Sequence, residues 1–300
     1  MIGIYFKSYE AYLKLEKGLA EASCFAYLND LKKLDEFLSM KSYNFSLQKL
    51  HLDHLREFLE YLNELGFATA SQARMLSGLK SFFSYLVLEK IIDISPADLL
   101  ESPKLSKKLP EVLSYDEIES LLNAIDLSKA EGHRNRAMLE VLYACGIRVS
   151  ELTGLRLSAI YPEVGFIRVI GKGNKERLVP IGEGALKHLE FYLSDRKQMN
   201  NIDKKSEDIV FLNRRGKQLT RNMVFLIVKE AAYNAGIEKN VSPHTFRHSF
   251  ATHLIEGGAD LRIVQQLLGH ESITTTEIYT HLDMSFLRET MRSFHPRMKK

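Results

Sequence analysis

The stretch VSPHTFRHSF places two basic side chains where an anion could bind. Ser242 is a favourable helix N-cap and Pro243 a favourable first helical residue, so we predict a helix from Pro243 to about Glu256. His244 and Arg247 stand three residues apart and therefore share one face of its first turn. Backbone N–H groups point outward at that end of a helix and carry partial positive charge. The pattern favours a site for a phosphate group.

The histidines of the same stretch also have a spacing that invites a metal interpretation. His244 and His248 lie four residues apart, and His253 follows on the same predicted helix. Hydrolytic zinc sites with this spacing carry a glutamate, as in H-E-x-x-H, and no glutamate stands there. Arg247 would also repel a dication. We therefore predict no metal ligands, and a histidine-rich metallohydrolase remains only as an alternative enzyme class.

Other residues could act on a phosphate but have ordinary roles when taken singly. Arg148 stands in CGIRVSEL, and Lys172 stands between two glycines. His270 follows a predicted helix, where a histidine usually acts as a cap, and Tyr279 follows three threonines. The P-loop pattern G-x-x-x-x-G-K-[ST] is absent around Lys172, which excludes nucleotide binding of that kind. Each signal is weak alone, but together they form an ordered set.

With these residue types in this order, the sequence resembles the tyrosine recombinase (phage integrase) family. The likeness covers nearly the whole chain: a helical core-binding domain, a basic linker and a catalytic domain. The family's six-residue set of Arg, Lys, His, Arg, His and Tyr matches here without departure. The matching residues are Arg148, Lys172, His244, Arg247, His270 and Tyr279.

The resemblance implies a covalent mechanism for cutting DNA. Tyr279 would be the nucleophile that forms a 3′-phosphotyrosyl link. Arg148 and Arg247 would clamp the non-bridging phosphate oxygens, and His270 would donate a further hydrogen bond to one of them.

The remaining two residues would handle protons. His244 would accept the phenolic proton or stabilise the site, and Lys172 would protonate the leaving 5′-hydroxyl. The link keeps the energy of the broken bond, so the resemblance implies that no metal, ATP or other cofactor is needed. A DNA-binding protein with silent chemistry is the alternative, but a pure binder would need neither Tyr279 nor Lys172.

The elements of the first hundred residues are predicted to be helices that bind DNA. Apolar residues recur every three or four positions in Ala22–Met40, His51–Gly66 and Ala70–Glu89. One face of the third helix carries hydroxyls and cations, which suits contact with phosphates, although a plain solvated face stays open as the alternative. That face consists of Ser71, Arg74, Ser77, Lys80 and Ser81.

The second part of the chain is predicted to be helical around a small β-hairpin. Ser114 and Glu117 form a capping box that opens the first helix. The apolar runs that flank the lysine-bearing tip indicate two strands. The predicted elements, besides the helix from Pro243, are helices at Ser114–Ala124, Arg134–Tyr143, Val149–Leu155 and Ala259–Leu268 and strands at Phe166–Ile170 and Arg177–Ile181.

These elements predict a mainly α protein with a small β-sheet in the catalytic domain. We expect a helical, SAM-like DNA-binding domain over residues 1–100 and a catalytic domain over residues 111–300. The linker between them, residues 101–110, reads ESPKLSKKLP and combines two prolines with three lysines. The resemblance implies that the two domains close as a clamp around DNA.

Composition bounds the class of protein. The 300 residues are 45% hydrophobic and 26% charged, with 7 Pro and 2 Cys, which excludes disordered, collagen-like and disulfide-scaffold proteins. No apolar run is long enough for a membrane span, so a protein of the cytoplasm is expected, with both cysteines buried and reduced. The net charge of +3 is too near neutral to indicate nucleic acid by itself. Any DNA-binding surface must be a local patch.

Within the family, the chain looks like the compact Xer recombinases, since it starts at its core-binding helices and ends soon after Tyr279. That implies chromosome dimer resolution in the cytoplasm, at the nucleoid, on a double-stranded recombination site. The implied partners are other protomers, as a tetramer of one recombinase or of two paralogues, and a DNA translocase as activator. Integration or inversion of a mobile element remains the alternative. A C-terminal apolar face could dock on a neighbouring protomer or on its own chain: Met284, Phe286, Leu287, Met291 and Phe294.

Overall fold

A computed structural model of the chain describes residues 2–41, 43, 47–103, 111–269 and 281–298. The chain divides into two compact units, Met1–Lys108 and Leu109–Lys300. Most of the predicted linker lies outside the described residues. None of the described helices is long and apolar enough to cross a membrane.

The first unit is helical, and the three helices predicted in it are confirmed to within two residues at each end. A further N-terminal helix is added by the structure. Aromatic and leucine side chains fill the core between the helices; Phe37 and Phe58, for example, have ring centroids 5.4 Å apart. The helices are α1 (Phe6–Leu15), α2 (Glu21–Met40), α3 (Leu52–Glu64) and α4 (Thr69–Leu88).

The second unit contains the remaining helices and a small sheet. All the helices predicted in it are confirmed within a few residues, while the structure adds three that the sequence pattern did not reveal, Glu183–Lys197, Arg221–Asn234 and His281–Phe294. The helices are α5 (Tyr115–Asn123), α6 (Gly132–Cys145), α7 (Val149–Thr153), α8 (Glu183–Lys197), α9 (Arg221–Asn234), α10 (Pro243–Glu256), α11 (Leu261–Leu268) and α12 (His281–Phe294).

The predicted hairpin is confirmed as part of a three-stranded antiparallel sheet, in which the strands lie side by side in chain order. Its strands are β1 (Ile160–Tyr161), β2 (Phe166–Ile170) and β3 (Glu176–Pro180). Phe166 pairs with Pro180 at one end of the hairpin and Ile170 with Glu176 at the other. The tip folds as a short 3₁₀ turn, Lys172–Asn174, in which Gly173 adopts a φ of +71° that suits glycine.

The core of the second unit surrounds α6, which is buried along nearly its whole length. Helix α6 packs against α8 and α10, and its two buried charged residues, Arg136 and Glu140, pair with each other at 3.1 Å. It ends at Gly146, whose φ is +57°. A Cβ there would collide with the Phe250 ring, so the turn that leads to Arg148 requires a glycine.

The C-terminal helix packs on its own chain in this structure. Leu287 and Met291 of α12 are buried beside Phe250 of α10 and Leu267 of α11. Phe286, in contrast, is 56% exposed. The C-terminal apolar face, which the sequence allowed to dock either on a neighbouring protomer or on its own chain, is therefore mostly covered by its own chain in this structure. Helices α11 and α12 therefore contribute to the same apolar cluster.

Beyond α12, the chain is held by an aromatic contact and by ion pairs. His295 is fully buried, with ring centroids 4.9 Å from Tyr143 and 5.2 Å from Phe250. Burial lowers the pKa of His295 to about 3, so the ring is neutral at physiological pH. Arg297 pairs with Glu140 at 2.5 Å and with Glu119 at 2.7 Å. These contacts hold His295 and Arg297 against the core of the second unit.

Candidate active site

The N-terminus of α10 forms as predicted. The Ser242 side chain accepts a hydrogen bond from the Thr245 backbone N–H at 3.4 Å, and Pro243 is the first helical residue. His244 then lies exposed on the first turn. Arg247, one turn further along, is half-buried. The helix end therefore presents His244 to solvent and turns Arg247 toward the rest of the unit.

Arg247 joins the ends of two other helices. Its Nη1 donates to the carbonyl of Gly146 at 2.8 Å, and its Nη2 donates to the carbonyl of Leu268 at 2.6 Å. Burial lowers its pKa to about 10, and the positive charges of Arg148 and Arg177 act in the same direction. The guanidinium is still charged at neutral pH. These two bonds use two of its five N–H donors, so others can face an anion.

Arg148 is positioned by a short helix. It is the N-cap residue of α7, and its backbone N–H and its Nη1 both donate to the Glu151 carboxylate, at 2.8 Å and 3.0 Å. Its Nη2 donates to the carbonyl of Gly269 at 3.3 Å. Arg148 and Arg247 thus reach the same place from different helices.

Glu151 and Arg177 belong to this cluster, although the sequence analysis did not select them. Arg177 donates to both Glu151 oxygens, at 2.7 Å and 2.9 Å, and its Nε donates to the carbonyl of Leu267 at 3.0 Å. Burial alone would raise the pKa of Glu151, but the hydrogen bonds and charge of Arg177, together with Arg148, hold it below its ordinary value. The carboxylate is therefore ionised.

Two sequence signals could have revealed these residues. Glu151 stands three residues after Arg148, the spacing of a helix-capping pair. Arg177 falls on the same side of β3 as Val179, which is the buried side. A charged residue on the buried side of a strand needs a partner, so its position indicates an ion pair.

Three arginines consequently bind three successive carbonyls at the C-terminal end of α11. Arg177 binds Leu267, Arg247 binds Leu268 and Arg148 binds Gly269. The C-terminal end of a helix carries partial negative charge, which suits this arrangement. Glu151 is the one acid bonded to these arginines in the described part of the chain. We name Arg148, Glu151, Arg177 and Arg247 the arginine cluster.

The other predicted catalytic residues are placed only in part. Lys172 lies in the turn between β2 and β3, and its side chain is outside the described part of the structure. That turn starts beside the arginine cluster, since a Cβ on Gly171 would lie 3.4 Å from Glu151 Oε1. His270 and Tyr279 are outside the described residues. His270 directly follows Gly269, and Tyr279 precedes α12 by two positions.

The predicted DNA-binding face of α4 contains side chains that already have protein partners. Arg74, whose side chain is 46% exposed, forms two hydrogen bonds with the buried Asp30 carboxylate. Ser77 donates to a backbone carbonyl of its own helix. Ser81 accepts from the Tyr9 hydroxyl at 2.9 Å, and Lys80 approaches the carbonyl of Asp98 at 3.5 Å.

This face remains accessible despite those contacts. Arg74 and Ser77 are exposed, and Ser71, Lys80 and Ser81 are half-buried. The structure leaves DNA contact by this face as a prediction.

The arginine cluster can neutralise a phosphate group. Its three guanidinium groups outnumber its single carboxylate, so the cluster carries net positive charge. Guanidinium groups bind phosphate oxygens in a fixed geometry and need no reorganisation when negative charge develops. Among the described residues, no group of three His, Cys, Asp or Glu side chains could hold a metal ion.

Comparison with known families gives two matches. Residues 111–285 match the phage integrase family, and residues 6–90 match the phage integrase N-terminal SAM-like domain. Tyrosine recombinase XerD of Chlorobaculum tepidum is 44% identical to this chain over 290 residues, which cover 95% of this chain and 94% of that relative.

Solved structures show the same similarity. The crystal structure of XerH site-specific recombinase bound to its difH substrate in a pre-cleavage complex has a TM-score of 0.67 at 29% identity, covering 89% of this chain and 78% of that chain. A lambda integrase tetramer bound to a Holliday junction has a TM-score of 0.70 at 19% identity, covering 97% and 78% of the two chains. The second likeness concerns the fold alone.

Proposed function

This chain belongs to the phage integrase family, a family of DNA breaking-rejoining enzymes, and from that premise we propose that it is a site-specific tyrosine recombinase. It cuts and rejoins DNA through a 3′-phosphotyrosyl intermediate and a Holliday junction. The observation that carries the proposal is the convergence of Arg148 and Arg247 at the end of α11, directly before His270. Two arginines that converge in this way can bind the non-bridging oxygens of a phosphate group while Tyr279 attacks it.

The cleavage step uses residues of this chain only. The phenolic oxygen of Tyr279 bonds to phosphorus while the bond from phosphorus to the 5′ oxygen of the next nucleotide breaks. His244 takes the phenolic proton, and Lys172 gives a proton to the departing 5′ oxygen. Arg148, Arg247 and His270 stabilise the charge on the non-bridging oxygens. Rejoining is the reverse reaction with a different 5′-hydroxyl.

We propose that this chemistry needs neither metal nor nucleotide. The phosphotyrosyl bond conserves the energy of the phosphodiester, so religation has no requirement for ATP. Arg148 and Arg247 supply the positive charge that a metal ion gives in other nucleases.

The test is covalent trapping on a suicide substrate, whose cut strand loses a short 5′ fragment and cannot be rejoined. The site is taken from DNA that co-purifies with the protein from cells. We expect a covalent protein–DNA product in excess EDTA without nucleotide, at the rate found without chelator. A shuffled sequence is the matched control. Loss of cleavage in EDTA, restored by added metal, would contradict the proposed mechanism.

We propose chromosome dimer resolution as the biological role. It is supported by 44% identity to a XerD recombinase over nearly the full length of both chains. Protomers would then act as a tetramer on the recombination site, with a paralogous recombinase and a DNA translocase as partners, in the cytoplasm at the nucleoid. Integration or inversion of a mobile element would use the same chemistry. The sequence of the co-purified site distinguishes these roles.

We also propose that the exposed face of α4 contacts the phosphates of the bound DNA. Neutralising Arg74 and Lys80 together should weaken binding to all sequences. The magnitude of the slope of log K against log salt should fall by roughly two, at about 0.9 per phosphate contact. Covalent product on saturating DNA should persist, because neither residue belongs to the arginine cluster.

A salt titration of binding measures this effect in the wild type and in the double variant Arg74→Gln/Lys80→Gln. Arg56→Gln is the control, because Arg56 also pairs with an acid, Asp53 at 3.3 Å, but lies on α3. If the magnitude of the slope fell by only about one, the ion pair with Asp30 would be keeping Arg74 from binding a phosphate. An unchanged slope would show that α4 does not contact DNA.

A further inference from the structure

Arg177 lies where three separate parts of the candidate site meet. It starts on β3, directly after the lysine-bearing turn, and reaches both Glu151 of α7 and the last turn of α11. We propose that Arg177 is a positioning residue for DNA cleavage, which holds Arg148 and the chain leading to His270 in their working arrangement. This inference rests on the recombinase function proposed above.

The side chain of Arg177 is enclosed by the groups that it binds. It is 7% exposed. A Cβ on Gly269 would come within 3.1 Å of its Cδ and Nε, so this glycine, with a φ of +67°, lets α11 end directly against the guanidinium. Because it is covered in this way, Arg177 acts through its neighbours and has no access to DNA.

Arg177 first affects whether the Arg148 guanidinium is able to bind a phosphate. Glu151 is 3% exposed and shares its two oxygens between Arg177 and Arg148. Arg177 binds both oxygens through its side chain, whereas the Arg148 side chain binds one. If Arg177 were absent, the buried carboxylate would have Arg148 as its remaining guanidinium partner. Arg148 would then be drawn toward Glu151 and away from a phosphate, because an unpaired buried charge is costly.

Arg177 also holds the C-terminal end of α11 in place. The bond from Arg177 Nε to the carbonyl of Leu267 holds the turn whose next two carbonyls bind Arg247 and Arg148. The same turn leads directly into His270. Loss of Arg177 would loosen a helix end that binds two catalytic side chains, Arg247 and Arg148.

A lysine at position 177 should not perform the full role of Arg177. Its single ammonium cannot bind both Glu151 oxygens in the plane of the carboxylate and also reach the Leu267 carbonyl. Arg177→Lys keeps the charge, and Arg177→Met keeps roughly the length of the side chain without charge. The pair therefore separates the effect of charge from the effect of geometry.

The test is single-turnover formation of covalent product on saturating suicide DNA. We expect Arg177→Met to cleave about 10- to 100-fold more slowly than the wild type, by analogy with the loss caused by removing a group that orients a metal ligand. The cleavage rate of Arg177→Lys should lie between those of Arg177→Met and the wild type. Binding of the site should be unchanged.

The matched control is Arg196→Met. Arg196 is also 7% exposed and binds backbone carbonyls, those of Ile209, Ser206 and Glu207, but it lies on α8 away from the cluster. Thermal unfolding should show destabilisation in both Arg196→Met and Arg177→Met. Only the Arg177 variant should lose cleavage on saturating DNA.

A second substrate separates positioning from simple loss of structure. A methylphosphonate at the scissile position removes one non-bridging charge, so placement of Arg148 matters less. The defect of Arg177→Met and of Arg177→Lys should shrink at least severalfold on this DNA, whereas partial unfolding would slow both substrates equally. Equal defects on the two substrates, or wild-type cleavage by Arg177→Met, would overturn the inference. Absence of covalent product from the wild type would instead remove the proposed function, and this inference with it.

Discussion

Replacing Tyr279 with phenylalanine is expected to abolish the covalent protein–DNA product. Binding of the recombination site should stay within about tenfold, ~1.4 kcal/mol, because only the nucleophilic oxygen is removed. Denaturing gels of reactions on suicide DNA measure the product, and a binding titration measures affinity. Tyr161→Phe is the matched control, since Tyr161 is a partly exposed tyrosine of the same unit that lies on β1.

The described residues on either side of Tyr279 support this expectation. The chain before it leaves α11 at Gly269, which accepts a hydrogen bond from Arg148. The chain after it enters α12, whose Leu287 packs in the same apolar cluster as Leu267. Of the described residues that flank Tyr279 in the chain, Gly269 is bonded to the arginine cluster and Leu287 packs in the same apolar cluster as the end of α11. Persistent covalent product in Tyr279→Phe would remove this residue from its role.

Replacing Lys172 with alanine is expected to give the second-largest loss, because the 5′ oxygen is a poor leaving group without a proton. Cleavage of ordinary DNA should slow by about 10²- to 10⁴-fold, the usual contribution of a general acid. DNA with sulfur in place of the scissile 5′ oxygen should be cleaved at nearly the wild-type rate, since a thiolate leaves without protonation. Single-turnover rates on the two substrates measure the difference.

Lys175→Ala provides the control, because Lys175 is an exposed lysine next to the same turn. It should cleave both substrates like the wild type. If Lys172→Ala were equally slow on oxygen and sulfur substrates, Lys172 would bind or position the DNA and would not be the acid.

Local signals in the sequence predicted most of the elements. Ser242 and Pro243 set the start of α10, and Ser114 with Glu117 forms the capping box that opens α5. These signals work because a cap depends on residues only three positions away. Helix α8 escaped prediction because its buried residues, among them Ala185 and Leu189, are interspersed with lysine, histidine and arginine. Its place is set by packing against α6.

The family set of six residues could likewise be read from order and type alone, because chemistry fixes which side chains cleave a phosphodiester. Their mutual placement could not. Arg247 meets Gly146 across 101 positions of the chain, and Arg177 meets Leu267 across 90. Pairs this far apart leave no periodic trace, since the packing of α6, α10, α11 and the sheet brings them together.

The same limit applies to charge. In the sequence, Arg74 is a free cation on a helix face and Glu151 is an unremarkable acid in a short helix. In the folded protein, Arg74 is paired with buried Asp30, and Glu151 is the carboxylate shared by Arg148 and Arg177. Local sequence governs which helices form and where they begin, because those contacts span a few residues. Which arginines remain available to a phosphate depends on partners that only folding brings within hydrogen-bonding distance.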